Sequence, residues 1–169
     1  MLSSHELLGF MSQNLALEIL TFANETDKPL YRSTMAAVAE SRKVRPVFLE
    51  RQPKPQRHAT MIAALSRPTL EMITANLLRT WLLKKYNHML CDFLDALGIA
   101  HKEGVVEELP PSMEDEKLKQ AIEVLLGKYP QEVVSVYLNA FNDMNETVIR
   151  YRNIQVRQLP SQPAKDQSQ

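Results

Sequence analysis

The side chains of this sequence best suited to acid-base or metal chemistry are its four histidines, and the best constellation they offer is His88 with Asp92, Asp95 and His101. On a helix, His88 and Asp92 share a face at a spacing of four residues, so the carboxylate could orient the imidazole or both could touch one cation. Asp95 would oppose the dipole at the end of that helix, and His101 follows in the next loop. An ion pair with a neighbouring Lys or Arg explains Asp95 equally well. We therefore treat these four residues as weak catalytic candidates.

The motifs that usually identify an enzyme or a metal site are absent from the sequence. It contains no H-E-x-x-H, E-x-x-H, C-x-x-C, G-x-x-x-x-G-K-[ST] or G-x-S-x-G pattern. Trp81, Cys91 and the eight methionines fall among apolar residues and are predicted to be core. The sequence thus predicts neither a cofactor nor a bound metal, and it favours a function other than catalysis.

The clearest non-random feature is the segregation of charge into two segments. Residues 42–67 form a basic connector with a local charge of +6, in which Glu50 is the single acid. Its cations are Arg42, Lys43, Arg45, Arg51, Lys54, Arg57 and Arg67. Val47, Phe48 and Leu49 offer one short apolar anchor within it. Such a segment could contact an acidic protein or phosphates, or it could simply be solvated.

Residues 102–116 form an acidic segment with a local charge of −5, opposed only by Lys102. Its acids are Glu103, Glu107, Glu108, Glu114, Asp115 and Glu116. The acidic segment and the basic connector could complement each other, within one fold or between molecules. Exposed ion pairs contribute only about 0 to 1 kcal/mol each, so such a contact would steady a fold very little.

Composition limits the class of protein. The 169 residues are 44% hydrophobic, and 20 Lys and Arg balance 20 Asp and Glu, so no global field draws the chain onto nucleic acid or an anionic membrane. The single cysteine cannot form an internal disulfide, no basic region opens the N-terminus, and no apolar run approaches the roughly 20 residues of a membrane span. We expect a cytoplasmic protein without a membrane segment.

Helical periodicity predicts an all-α bundle of about five to six helices. Ser3 and Glu6 form a capping box that starts a helix with Leu8, Met11, Leu15, Ile19 and Phe22 on one stripe. Asp27 and Pro29 start a second helix over about 28–41. Pro46, Pro53 and Pro55 predict an extended connector, with a short helix over 56–65.

The remaining pattern predicts one long central helix over about 68–97, since no Gly or Pro intervenes before Gly98. A loop over 98–111 leads to a helix that Ser112 and Asp115 start as a weaker capping box and that ends at Gly127. Pro130 favours helix over strand for 132–138, whereas 145–159 fits either a helix or a strand. The expected organisation is a single helical domain over 1–159, followed by a disordered tail over 160–169. Within the domain we expect N-terminal helices over 1–41, the connector over 42–67 and a helical bundle over 68–159.

Three functions remain open at the level of sequence. The leading hypothesis is a helical interaction module that binds another protein, or a second copy of itself, through the basic connector, the acidic segment or both. The second is a nucleic-acid-associated protein that uses residues 42–67 as a phosphate-contacting arm, although Phe48 is the one aromatic residue there that could stack on a base. The third is a small helical enzyme built around the His/Asp candidates.

Overall fold

The computed structural model describes residues 2–107 and 114–140, and within these ranges the chain forms nine α-helices and one 3-10 turn, Pro68–Leu70. The helices are α1 (Ser4–Phe10), α2 (Gln13–Thr26), α3 (Lys28–Ser41), α4 (Pro46–Glu50), α5 (Lys54–Leu65), α6 (Glu71–Lys85), α7 (Asn87–Leu97), α8 (Asp115–Lys128) and α9 (Gln131–Ala140). The only β-type pairing in these ranges is an isolated bridge between Lys102 and Val105. The all-α class predicted from the sequence is confirmed.

The predicted capping box at the N-terminus is present, because the Ser3 amide donates to Glu6 Oε2 at 2.8 Å. The single helix predicted to follow it is wrong, since the chain breaks at Ser12 into α1 and α2. The Ser12 hydroxyl accepts from the Leu15 amide at 3.2 Å and so caps α2. Glu132 of α9 in turn accepts hydrogen bonds from the amide and the hydroxyl of Ser12. A partner far along the chain therefore fixes this break.

The second helix has the predicted bounds, Lys28–Ser41, and Asp27 caps it by accepting from the Leu30 amide at 3.1 Å. Its C-terminus closes in a Schellman motif. The Lys43 amide donates to the Glu40 carbonyl at 2.9 Å, and the Val44 amide donates to the Ala39 carbonyl at 3.0 Å. Lys43 holds φ at 55°, in the left-handed region that glycine usually occupies at this position.

The short helix predicted over 56–65 is present as α5, but the rest of the basic connector is not extended as predicted, because it also carries α4. Its prolines stand where helices begin: Pro46 and Pro55 lie in first turns, and Pro53 is the N-cap of α5. In a first turn the missing N–H of proline would have no intrahelical partner in any case, so proline starts a helix there. The prolines divide the segment into short helices without preventing them.

The long central helix predicted over 68–97 is also wrong, because the chain breaks at Tyr86 between α6 and α7. Tyr86 leaves the helical conformation with φ −118° and ψ 30°. Its ring packs edge-on against Trp81 at a centroid distance of 5.1 Å and against Tyr129 at 6.5 Å. This break, the break at Ser12 and the presence of α4 explain why the described residues hold more helices than the five or six predicted.

The buried apolar side chains form one cluster that extends from Leu7 on α1 to Ala140 on α9. Helix α6 lies at its centre, in contact with α1, α2, α3 and α9, whereas α7 packs mainly on α8. Trp81 on α6 is 1% exposed, which confirms its predicted core position. Cys91 on α7 is half-buried, so it lies less deep in the core than predicted.

The C-terminal half agrees with the sequence analysis where it is described. Helix α8 starts at Asp115 and ends one residue beyond Gly127, and the predicted choice of helix over strand for 132–138 is confirmed by α9. Residues 145–159 and the predicted tail 160–169 lie outside the described residues, as do Glu108 and Ser112. In the described ranges, no helix combines the length and the apolar character needed to cross a bilayer.

Candidate functional site

Exposed apolar and basic side chains lie next to one another in sequence at the α4 tip, which we define as Lys43, Arg45, Val47, Phe48 and Arg51. Phe48 is 60% exposed and Val47 is 43% exposed, although both are large apolar residues. The next residue, Leu49, is buried and anchors this five-residue helix, which packs against α3. The α4 tip therefore presents two apolar side chains to solvent.

Cations surround these apolar side chains in sequence. Arg42, Lys43, Arg45, Arg51 and Lys54 are all exposed. None of the ion pairs within residues 2–107 and 114–140 uses any of the five. Their charges are consequently available to an external anionic group.

The two remaining cations of the basic connector behave differently. Arg67 is exposed at the start of the 3-10 turn, separated in sequence from the α4 tip by α5. Arg57 is half-buried, and its Nε is a buried atom with no hydrogen-bond partner in the described structure. Its positive charge acts on the hydroxyl of Tyr31, a buried residue of α3. Arg57 therefore belongs to the interior, and a test of surface charge should leave it unchanged.

A buried histidine that the sequence analysis did not single out lies next to Arg57. His58 is 2% exposed, and its Nε2 lies 3.0 Å from the Tyr31 hydroxyl. Burial, together with the charges of Lys54 and Arg57, lowers the pKa of His58 to about 4. The pKa of Tyr31 is raised by burial. The pair joins α3 to α5 beneath the basic surface.

The position of His58 could have been found from spacing. His58, Met61 and Leu65 follow one another at intervals of three and four residues, the period of one helix face, and all three are buried. The short helix predicted over 56–65 includes all three residues.

The structure brings two of the four catalytic candidates together. Asp95 Oδ1 lies 3.1 Å from His101 Nε2, and the Gly104 amide donates to His101 Nδ1 at 3.0 Å. Because Nδ1 accepts a hydrogen bond, the ring holds its proton on Nε2 and donates it to Asp95. His101 thereby ties the end of α7 to the turn that follows it.

The other two candidates are not joined to that pair. Asp92 accepts a hydrogen bond from the Tyr129 hydroxyl at 2.6 Å and pairs with Lys128 Nζ at 3.2 Å, which links α7 to the end of α8. The bond from Tyr129 lowers the pKa of Asp92, whereas burial and this carboxylate raise the pKa of Tyr129 to about 12. No hydrogen bond joins His88, an exposed residue, to Asp92 in the described part of the chain.

These contacts give three of the four candidates a structural role that accounts for their positions. In residues 2–107 and 114–140, no group of three His, Cys, Asp or Glu side chains is placed to hold a metal ion.

The acidic segment is exposed wherever it is described. Glu103 and Glu107 lie in the turn after α7, and Glu114, Asp115 and Glu116 lie at the start of α8. Val105, between the first two, is 68% exposed. No ion pair among the described residues joins this segment to the basic connector, so their predicted contact within one fold is not seen there.

The left-handed Lys43 gives a direct test of the local structure of the α4 tip. In this conformation a residue with a Cβ makes the folded state less stable by about 1 to 2 kcal/mol than glycine would. Part of this difference is offset, because glycine gives the unfolded chain more conformational entropy. We expect Lys43→Gly to raise the free energy of unfolding by about 0.5 to 1 kcal/mol in urea denaturation. Lys43→Ala is the matched control, because it removes the ammonium group but keeps the Cβ. Equal effects of the two substitutions would contradict this explanation.

Comparison with known proteins gives no relative to reason from, since no protein-family model, no curated protein sequence and no solved structure matches this chain. We therefore infer its function from its own residues.

Proposed function

We propose that this protein is a non-enzymatic interaction module whose α4 tip binds an acidic surface of a partner protein. The observation that carries the proposal is the pairing of Phe48, 60% exposed, with exposed cations that have no ion-pair partner in the described chain. Protein interfaces typically combine a small apolar centre, often aromatic, with a polar rim, and arginine is enriched in them.

The two kinds of side chain would have separate roles in binding. Phe48 and Val47 would supply the apolar area that water leaves on contact, which is the main source of affinity. Arg45 and Arg51 would attract acidic groups over a distance and fix their orientation, which mainly raises the association rate. The α4 tip therefore fits a surface on which an apolar side chain is flanked by carboxylates.

A nucleic acid fits the α4 tip less well than a protein does. Binding of single strands normally uses successive aromatic side chains on which bases stack, and Phe48 is the one aromatic residue of the basic connector. Val47 beside it is apolar but cannot stack.

The proposal retains the cytoplasmic location expected from the single, reduced Cys91.

A binding measurement with a defined probe tests this function. The probe is a fluorescent peptide in which glutamates alternate with phenylalanines, and the readout is its fluorescence anisotropy. We expect saturable binding that Phe48→Ser weakens by about tenfold, the loss typical of an important interface residue. Arg45→Gln with Arg51→Gln should weaken binding and reduce its dependence on salt, while the melting temperature stays within a few degrees.

Lys28→Gln with Arg32→Gln is the matched control, because these two cations are also exposed but lie at the opposite end of α3 from α4. This pair removes the same charge and should leave peptide binding unchanged. Equal losses in the two double variants would show a non-specific charge effect and refute docking at the α4 tip. Tighter binding of a single-stranded oligonucleotide than of the peptide would favour the nucleic-acid function instead.

A further inference from the structure

The acidic segment contains a surface that is complementary to the α4 tip. We define the 103–107 turn as Glu103, Gly104, Val105, Val106 and Glu107. Val105 is 68% exposed, and the carboxylates on either side of it in sequence, Glu103 and Glu107, are exposed as well. An apolar side chain flanked by acids is the chemistry that the α4 tip is suited to bind.

The 103–107 turn is held in one conformation. Lys102 and Val105 exchange two backbone hydrogen bonds of 2.9 Å each, and His101 accepts from the Gly104 amide. At Gly104, with φ at 86°, an added Cβ would lie 3.0 Å from a methyl carbon of Leu90, which is a tight contact. The turn therefore lies close against α7, and Val105 would lose little conformational freedom on binding.

The two surfaces do not bind each other within one molecule in the described structure. Helix α4 packs on α3, whereas the 103–107 turn lies against α7, and no ion pair among the described residues connects them. Among the described residues, each surface is therefore exposed to solvent.

The overall charge of the protein favours association between copies. Its formal net charge is 0 at pH 7, and its sequence pI is about 6.9. Copies therefore repel one another little, and a net charge near zero promotes association. Because the charge is segregated into a basic connector and an acidic segment, the connector of one copy can attract the acidic segment of another.

We propose that the partner of the α4 tip is a second copy of this chain, bound through its 103–107 turn. In this contact Phe48 of one copy packs on Val105 of the next, while Arg45 and Arg51 pair with Glu103 and Glu107. The inference rests on the proposed docking function and names its partner. Because the two surfaces differ, the contact is heterologous, and every bound pair still has one free tip and one free turn. Association extends to short open oligomers, or to a ring if the rotation between copies closes.

The test is sedimentation velocity of the full chain over a wide range of protein concentration. At low salt we expect the weight-average sedimentation coefficient to rise with concentration, and at about 1 M salt, where the screening length is roughly 3 Å, we expect the rise to disappear. Phe48→Ser and Val105→Ser, which change no charge, should each shift the rise to about tenfold higher concentration. Circular dichroism confirms that each variant is folded.

Charge reversal tests the pairing itself. The tip-reversed variant carries Arg45→Glu and Arg51→Glu, and the turn-reversed variant carries Glu103→Lys and Glu107→Lys. Each variant should stay monomeric alone, because its α4 tip and its 103–107 turn then carry charge of the same sign. An equimolar mixture of the two variants should associate again. A contact between two α4 tips would instead persist in the turn-reversed variant and would overturn the inference.

Opposite net charge alone could make the mixture associate, so a matched control is needed. Adding Phe48→Ser and Val105→Ser to the tip-reversed variant keeps its net charge but removes one apolar side chain from each of the two contacts that the mixture can form. Mixed with the turn-reversed variant, it should associate only at about tenfold higher concentration. Equal association of both mixtures would overturn the inference.

Failure of this inference is distinguishable from failure of the proposed function. If the full chain stays monomeric at every concentration in low salt but binds the acidic peptide, the second-copy inference is wrong and the docking function stands. If it neither associates nor binds the peptide, both are wrong.

Discussion

Replacing Trp81 by alanine should lower the free energy of unfolding by about 3 to 5 kcal/mol, the loss usual for truncating a fully buried tryptophan. The side chain is 1% exposed on α6, the helix that contacts most of the others, and its ring packs against Tyr86 at the break before α7. The substitution leaves a cavity there and removes the support of Tyr86. Urea denaturation followed by circular dichroism measures the loss, since the variant has no tryptophan fluorescence.

Trp81→Phe is the matched control for this prediction. Nε1 of Trp81 is buried and has no hydrogen-bond partner in the described structure, so phenylalanine removes an unpaired polar atom and keeps an aromatic ring. We expect Trp81→Phe to lose clearly less stability than Trp81→Ala. A loss below about 1 kcal/mol for Trp81→Ala itself would place the ring outside the core.

Acidification should destabilise the protein through His58, by up to about 3 kcal/mol between pH 6.5 and pH 4. The pKa of His58 is lowered to about 4 in the folded state, chiefly by burial, whereas an unfolded histidine titrates near 6.5. In this window the unfolded chain binds a proton that the folded chain does not. The contribution of His58 is therefore complete above about pH 6.5 and is lost progressively as the pH falls towards 4.

Denaturant unfolding at a series of pH values measures this effect. The carboxyl groups of Glu71 and Asp92 have lowered pKa values, so their contributions are lost mainly below about pH 4.5, outside the range from 4.5 to 6.5 in which the histidine variants are compared. His58→Gln should flatten the profile in that range, whereas His88→Gln, at an exposed position, should leave it unchanged. An unaltered slope in His58→Gln would show that another group is responsible.

Helix starts could be predicted from the sequence where the signal is local. Ser3 with Glu6, and Asp27 with Pro29, lie within a few residues of the amides they cap or precede, and α1 and α3 start where these residues indicate. The breaks at Ser12 and Tyr86 could not be predicted in the same way. Ser12 and Tyr86 have local contacts with Leu15 and Trp81, but they also contact Glu132 and Tyr129, residues distant in the chain whose approach depends on the complete fold.

The candidate surface was only partly predictable for a similar reason. Charge counting located the cations of the basic connector, and the apolar run 47–49 was recognised as an anchor. Only the fold shows that Leu49 alone is buried while Val47 and Phe48 face solvent, and that Arg57 turns inward. Sequence spacing also grouped His88 with Asp92, whereas the structure pairs Asp92 with Tyr129 and Asp95 with His101.

The contacts of Glu71 and Glu132 with the first two helices can form only after these two acids have been synthesised. Glu71 accepts from the amides of Ser4 and His5 at the start of α1, and Glu132 accepts from Ser12, 120 residues earlier in the chain. A ribosome that adds about 5 to 20 residues per second takes on the order of 6 to 24 seconds to make that interval. Until then the start of α2 has the Ser12 cap but not its contact with Glu132. The hydrogen bonds at the start of α2 are thus complete only when α9 has been made.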